Sequence, residues 1–340
     1  MIKTAIIGCG RMGRRHIQAI QNLQYDIVGV VDPFEESLKA AQDENNIKLS
    51  QCFRNIEELF LATKPELVII ATTADSHFDY TIECSQQSSV KFILCEKPMA
   101  TSISHCKQMI QACKDKYIKL AINHPVRFTE ADIKIKELVN SDKFGGLNVI
   151  NVSAGNFGLA MNATHNLEMF RFLTNKLPTK VTAWFDDKTI PNPRGPQFID
   201  RSGCIKVLND DGQQLIINAG NKSGHGIIIT YNCRNGQIAL NPLTSSAMVT
   251  VRKAEFSDRP TTQYALPAEN YIEDFKSSDL IIRCEKMVNA LLNNKDYPDG
   301  DTIIRTVEII AGAYVSNENN NKEINIKKDK LDINRTFPWA

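Results

Sequence analysis

The chain has 340 residues, with 40 lysines and arginines against 39 aspartates and glutamates, a length that suggests about two domains. With 42% hydrophobic and 23% charged residues it reads as globular, neither a disordered tail nor a broadly basic nucleic-acid binder. A chain of this size builds its core without disulfides or a structural metal. The cysteines form no C-x-x-C pair and no zinc-finger spacing, so they read as small buried hydrophobes and no metal site is expected.

Only a short apolar run precedes Gly8, and the longest, Leu67 to Ala71, falls far below the roughly 20 residues of a membrane helix. The expectation is a cytoplasmic protein with reduced thiols and no membrane contact, in which the sequons at Asn151, Asn162 and Asn221 stay unused.

Residues 1–125 alternate short β-branched runs with helical patterns, the signature of a doubly wound parallel sheet. Strands are expected at 4–7, 27–31, 67–71, 92–95 and 119–122, with helices near 12–24, 34–45, 55–63, 77–88 and 103–116. A further helix is expected over 126–141. After Gly145-Gly146 the texture changes to strands at 147–154, 180–185, 204–209, 214–219, 227–231, 237–240 and 247–252. Asn209-Asp-Asp-Gly and Asn235-Gly read as hairpin turns, which makes this second sheet mostly antiparallel. Helices are expected near 161–173, 269–293 and 301–315, the last capped by Asp299 or Asp301, followed by a polar surface tail that returns through Phe337 and Trp339. The domains are therefore expected as 1–125 and 126–340.

Gly8-Cys9-Gly10-Arg11-Met12-Gly13 is a G-x-G-x-x-G set between the first strand and the first helix. Its glycines allow the tight turn, the close approach of a pyrophosphate, and helix packing. Gly8, Gly10, Arg11, Met12 and Gly13 are thus candidate cofactor contacts. Asp32 closes the second strand, where a carboxylate accepts hydrogen bonds from an adenosine ribose and repels a 2′-phosphate. Pro33 and Phe34 follow it, so NAD is favoured over NADP, with Lys39 and Arg11 the cations that would reach a phosphate. At the end of the fourth strand stands Cys95-Glu96-Lys97-Pro98. A half-buried Lys97 beside a nicotinamide cation suits proton exchange with a substrate hydroxyl; a solvated loop pair is the alternative.

The glycine motif, Asp32, the run Ile69-Ile-Ala-Thr-Thr-Ala-Asp-Ser-His77 and Glu96-Lys97-Pro98 together resemble the Gfo/Idh/MocA oxidoreductases. That resemblance implies an N-terminal Rossmann domain, a C-terminal α+β domain with an open, mostly antiparallel sheet, and NAD-dependent hydride transfer to or from a sugar, polyol or nucleotide-sugar. It implies that Lys97 assists proton transfer, that Glu96 approaches the nicotinamide ribose, and that Thr72, Thr73 and His77 line the cofactor. It also implies Asn123 by the nicotinamide and Arg127 by substrate or in a domain-joining salt bridge. In Gly158-Leu-Ala-Met-Asn-Ala-Thr-His165 the histidine of the family's Asp-x-x-x-His stretch is present, but Met161 stands at the Asp position. His165 is then an acid/base or a substrate ligand, and Asn162 a substrate contact. A homodimer or homotetramer is implied as well.

Two other readings stay open at this level. One is a non-redox NAD-binding regulator or scaffold, motivated by Met161; the other is NAD-assisted chemistry without net redox. His16, His105 and His225 read as structural histidines, and the loop Arg194 to Arg201 as either a substrate cover or an oligomer contact.

Overall fold

The structure is a computed structural model that describes every residue of the chain except His225 and Ser278. It resolves into two compact units, one of residues 1–125, 279–307 and 333–340, the other of 126–278 and 308–332.

In the first unit the elements run β1 (Lys3–Ile7), α1 (Arg11–Asn22), β2 (Asp26–Val31), α2 (Glu35–Asn45), β3 (Cys52–Phe53), α3 (Ile56–Ala62), β4 (Leu67–Ile70), α4 (His77–Ser85), β5 (Phe92–Cys95), α5 (Ile103–Asp115) and β6 (Lys119–Ile122). The strands lie in the order β3-β2-β1-β4-β5-β6, and all pair in parallel. This is the doubly wound sheet that the alternating pattern predicts, with its reversal of strand order between β1 and β4. The strands are almost wholly apolar because helices cover both faces: every residue of β4 is buried. Helix α1 presents Gly13, His16, Ile17 and Ile20 to the interior, the spacing of one helical face. Asn55 and Ser102 cap α3 and α5 through the Glu58 and His105 amides, at 2.9 and 3.1 Å.

The second unit begins with α6 (Glu130–Val139), β7 (Leu147–Ala154), α7 (Thr164–Thr174), β8 (Pro178–Phe185), β9 (Gly203–Asn209), β10 (Gln214–Ala219), β11 (Ile227–Cys233), β12 (Gly236–Asn241), β13 (Ser246–Arg252) and β14 (Ala268–Asp274). After α8 (Leu280–Leu292) and α9 (Gly300–Glu318), the short β15 (Ile324–Asn325) completes a sheet ordered β14-β13-β12-β11-β7-β10-β9-β8-β15. It is antiparallel throughout except for the β7–β10 pair.

Several expectations shift. The helix expected over 269–293 divides: 268–274 alternate along the free edge of β13 and pair with it as β14, and the helix starts only where Asp279 accepts the Ile281 amide at 3.0 Å. A partner strand here overrides local helix preference. Residues 126–141 likewise divide into a 3-10 turn at Pro125–Phe128 and α6, which Thr129 caps through the Asp132 amide. The chain leaves the first unit at residue 125 and returns to it over 279–307 and 333–340. Helix α8 packs on α1, with Asn22 Nδ2 donating to Glu285 at 2.6 Å. The last residues return to α5: Ser104 N donates to Ile333 O at 2.8 Å and Phe337 N to Thr101 O at 2.9 Å, and Phe337 and Trp339 stack and are buried. His225 lies outside the described residues, and among those described no helix is long and apolar enough to cross a membrane.

Two glycines of the first loop differ in how much room a side chain would have. A Cβ at Gly13 would lie 1.8 Å from the Gly8 carbonyl oxygen, whereas one at Gly10 would meet nothing within 4 Å. Gly13→Ala should therefore lower the unfolding free energy by about 1–3 kcal/mol, and Gly10→Ala should leave it within about 0.5 kcal/mol. Paired denaturant titrations of the two variants test this; equal stabilities would contradict it.

Candidate functional site

The parallel register of the first unit brings its chemistry to one edge. Val31, Ile7, Ile70, Cys95 and Ile122 are successive Cα partners across β2, β1, β4, β5 and β6. The residues that follow them, Asp32, Gly8, Ala71, Glu96 and Asn123, therefore leave the sheet side by side at its carboxyl end, where open α/β sheets hold ligands.

At the β1 side, Gly8 has φ +93°, and a Cβ there would lie 2.8 Å from the Ala71 carbonyl carbon and oxygen. Gly10 occupies the N-cap of α1 with no side-chain cap, and no acidic residue stands in the first turn. The amides of this turn and the positive end of the helix thus suit an anion. Arg11 and Met12 open this turn, Arg11 exposed and Met12 half-buried. Asp32 is buried: one oxygen accepts the Cys9 amide at 2.8 Å and the other the Phe34 amide at 2.9 Å. The carboxylate braces the glycine loop, and each oxygen keeps a further lone pair. Two guanidinium groups stand nearby. Arg14 bonds Glu44 at 2.7 Å and the Cys9 carbonyl at 2.9 Å; Arg54 bonds the Pro33 carbonyl at 2.9 Å and Glu35 at 2.8 Å. Lys39 is exposed on α2.

The β5 and β6 ends form a buried polar cluster. Glu96 Oε1 accepts from His16 Nε2 at 2.9 Å and from Asn123 Nδ2 at 2.7 Å, while Oε2 faces the Lys97 amide at 3.3 Å. His16 is fully buried, Asn123 nearly so, and Glu96 is 6% exposed. Burial opposes the charged form of both partners and is outweighed in both. The Cys284 sulfur and the Glu96 carboxylate raise His16 from 6.5 to about 10. His16, with Lys97 and Asn123, lowers Glu96 from 4.5 to about 2. Both directions favour an imidazolium–carboxylate pair. Asn123 Oδ1 is buried and has no hydrogen-bond partner among the described residues. Lys97 is half-buried and follows directly.

Thr72 and Thr73 turn out of β4, Ser76 Oγ donating to Thr72 Oγ1 at 2.7 Å and Thr73 Oγ1 to Asp75 at 2.6 Å. His77 opens α4, fully buried, with Nδ1 2.9 Å from the Pro98 carbonyl and Nε2 3.2 Å from the Thr72 carbonyl.

In the second unit His165 is the second residue of α7, which a π-helical turn, Leu159–Ala163, precedes. His165, Met161 and Asn162 are half-buried. Asn162 Nδ2 donates to the Phe157 carbonyl, which spends that group on the turn itself. The turn is held by Asp200, whose oxygens accept the Ala160 and Met161 amides at 2.9 and 2.8 Å. Gly158 has φ +73°, a conformation strained for any side chain, and a Cβ there would also crowd Asp200 Oδ2 at 2.1 Å. Arg127 is 3% exposed, paired to Glu168 at 3.2 Å and stacked on Phe172, with Arg171 completing the set on Glu168 at 2.6 Å. Its guanidinium thus joins residues 126–128 to α7 within this unit.

Sequence reasoning took His16 as structural without naming Glu96 as its partner, and missed Asp200. His16 was legible: it falls on the apolar stripe of α1, and a buried imidazole requires a polar partner. Asp200 carried no local signal beyond its long loop, because its partners lie some forty residues away.

The family described as "Oxidoreductase family, NAD-binding Rossmann fold" matches residues 2–124. Among curated proteins, an uncharacterized oxidoreductase of Streptococcus pneumoniae is 24% identical over 200 residues, 54% of this chain and 53% of that one. D-apiose dehydrogenase of Paraburkholderia graminis is 32% identical over 130 residues, 38% of this chain and 34% of that one. The chain thus spans about half or less of the length of these relatives. Among solved structures, an oxidoreductase from Agrobacterium radiobacter in complex with NAD+, L-tartaric acid and magnesium has a TM-score of 0.77 at 18% identity, covering 96% of this chain and 98% of that one.

The buried pair makes stability depend on pH in a definite sense. His16, raised on folding, contributes fully below its ordinary value of 6.5, and the contribution is lost as pH climbs toward 10. Glu96, lowered, contributes above 4.5, with loss as pH falls toward 2. Glu96→Gln should cost about 3 kcal/mol near neutral pH and flatten the alkaline decline. Denaturant melts from pH 5 to 10 test this; an unchanged alkaline slope would contradict it.

Proposed function

We propose that this chain, a Gfo/Idh/MocA-family protein through residues 2–124, is an NAD-dependent oxidoreductase acting on a carbinol or keto carbon of a sugar, polyol or nucleotide-sugar. The observation that carries the reading is Asn123 Oδ1, a buried acceptor without a partner among the described residues, at the strand ends where Glu96 and Lys97 emerge. A buried acceptor of this kind marks a place for a donor, and a nicotinamide carboxamide supplies one.

The residues fit the dinucleotide along its length. The open N-terminus of α1, with Gly8, Gly10, Arg11, Met12 and Gly13, would take the pyrophosphate; Asp32 would take the adenosine ribose; Thr72 and Thr73 would flank the middle. NAD is preferred over NADP in this reading because an Asp32 carboxylate would repel a 2′-phosphate, and Arg14 and Arg54 already bond carboxylates and carbonyls. Bound NAD supplies a hydride acceptor at C4 of its nicotinamide. Lys97 exchanges the proton of the substrate hydroxyl, its Nζ carried on the half-buried turn that Glu96 anchors. Glu96 itself is the anchor of the cluster rather than a free ribose ligand, since Oε1 already takes two donors.

In the second unit His165 is the second candidate for acid/base work or substrate binding, and the 158–163 turn held by Asp200 carries it. Arg127 and the Asn162 amide nitrogen are occupied in holding α7 and its turn, which favours a supporting role for both. The cytoplasm and a homo-oligomeric state are part of the same reading.

An assay of nicotinamide absorbance against sugars, polyols and nucleotide-sugars tests it. Lys97→Ala should lower kcat about 100-fold or more and leave the NADH dissociation constant within about threefold. Asp32→Ala should weaken NADH about tenfold or more and spare NADPH. NADH binding without a redox change on any substrate would replace this reading with that of a regulator or scaffold.

A further inference from the structure

His77 is fully buried, and both of its ring nitrogens already face main-chain carbonyls, Pro98 at 2.9 Å and Thr72 at 3.2 Å. The two carbonyls belong to the two segments on which the proposed function rests. Thr72 begins the turn out of β4, and Pro98 closes the turn that carries Lys97. The strands behind them are neighbours in register, Ile70 opposite Cys95, and Glu96 N donates to Ile70 O at 2.9 Å. Past that bond the His77 ring lies between the two turns.

The chemistry of the bridge is asymmetric. Burial foremost lowers the pKa of His77, although the Pro98 and Thr72 carbonyls and Glu96 act in the other direction. A neutral imidazole has one N–H to give. The shorter contact assigns that proton to Nδ1, donating to the Pro98 carbonyl, so Nε2 packs against the Thr72 carbonyl without donating to it.

We propose that His77 is a positioning residue rather than a cofactor ligand: its ring is a strut that sets the distance between the Thr72-Thr73 turn and the Lys97-Pro98 turn. Cofactor affinity and the placement of Lys97 then depend on one side chain that contacts neither dinucleotide nor substrate. The proposal rests on the reading of those two turns as cofactor and acid/base segments.

The test uses the full chain with His77→Ala, His77→Phe, which fills the ring volume without a donor, and His77→Gln, which keeps an N–H at similar reach. NADH affinity by fluorescence titration is measured first, because it needs no substrate; kcat and KM follow with any substrate found. The Ala and Phe variants should each weaken NADH about tenfold and lower kcat at saturating cofactor, with substrate KM changed less than kcat. His77→Gln should recover most of both. Wild-type NADH affinity in a folded Ala or Phe variant overturns the proposal, as does a Gln variant no better than Phe. If no substrate is turned over even by the wild type, the functional reading fails, and the NADH series still decides the strut.

Discussion

The first unit depends on one buried charge. The Glu96 carboxylate sits at the end of β5 with little solvent, a position that costs several kcal/mol unless the charge is paired and its lone pairs are filled. His16 from α1 and Asn123 from β6 supply the partners. Because α1 begins at the glycine loop and Lys97 follows Glu96 directly, the same carboxylate fixes the helix whose N-terminus suits an anion and the turn that bears the proposed acid/base. Such a cluster gives its geometry rigidity as well as stability: each member has few alternatives that leave no charge or amide stranded.

Much of this was legible in the sequence because it is local or periodic. The continuous apolar strands, the G-x-G-x-x-G and Asp32 define the parallel sheet and its glycine loop, and the structure assigns Gly8 and Gly13 a steric reason to be glycine. What the sequence could not convey was pairing across distance. Glu96 reads as a charged residue at a strand end until His16, eighty positions earlier, is brought beside it. The edge strand β14 reads as helix until the free edge of β13 gives it a partner. The apolar pair Phe337 and Trp339 marked the return of the tail, whereas the return of α8 to the first unit is a matter of tertiary packing with no local signal.

In the second unit the turn that bears Met161 is held by a carboxylate from a distant loop. Asp200 brings a carboxylate to the backbone of that turn, and Gly158 makes room for it. The Arg127, Glu168 and Arg171 set holds α7 from behind. His165 is thus presented by a turn whose amides and ion pairs are satisfied, which favours a defined orientation for its ring.

The central claim is that the strand ends bearing Glu96, Lys97 and Asn123 hold a nicotinamide. A crystal structure of the chain with NADH tests it most directly. The account predicts the carboxamide nitrogen within about 3 Å of Asn123 Oδ1, with the His16–Glu96 pair intact beneath it. A nicotinamide bound elsewhere, with Asn123 Oδ1 still without a donor, would contradict it.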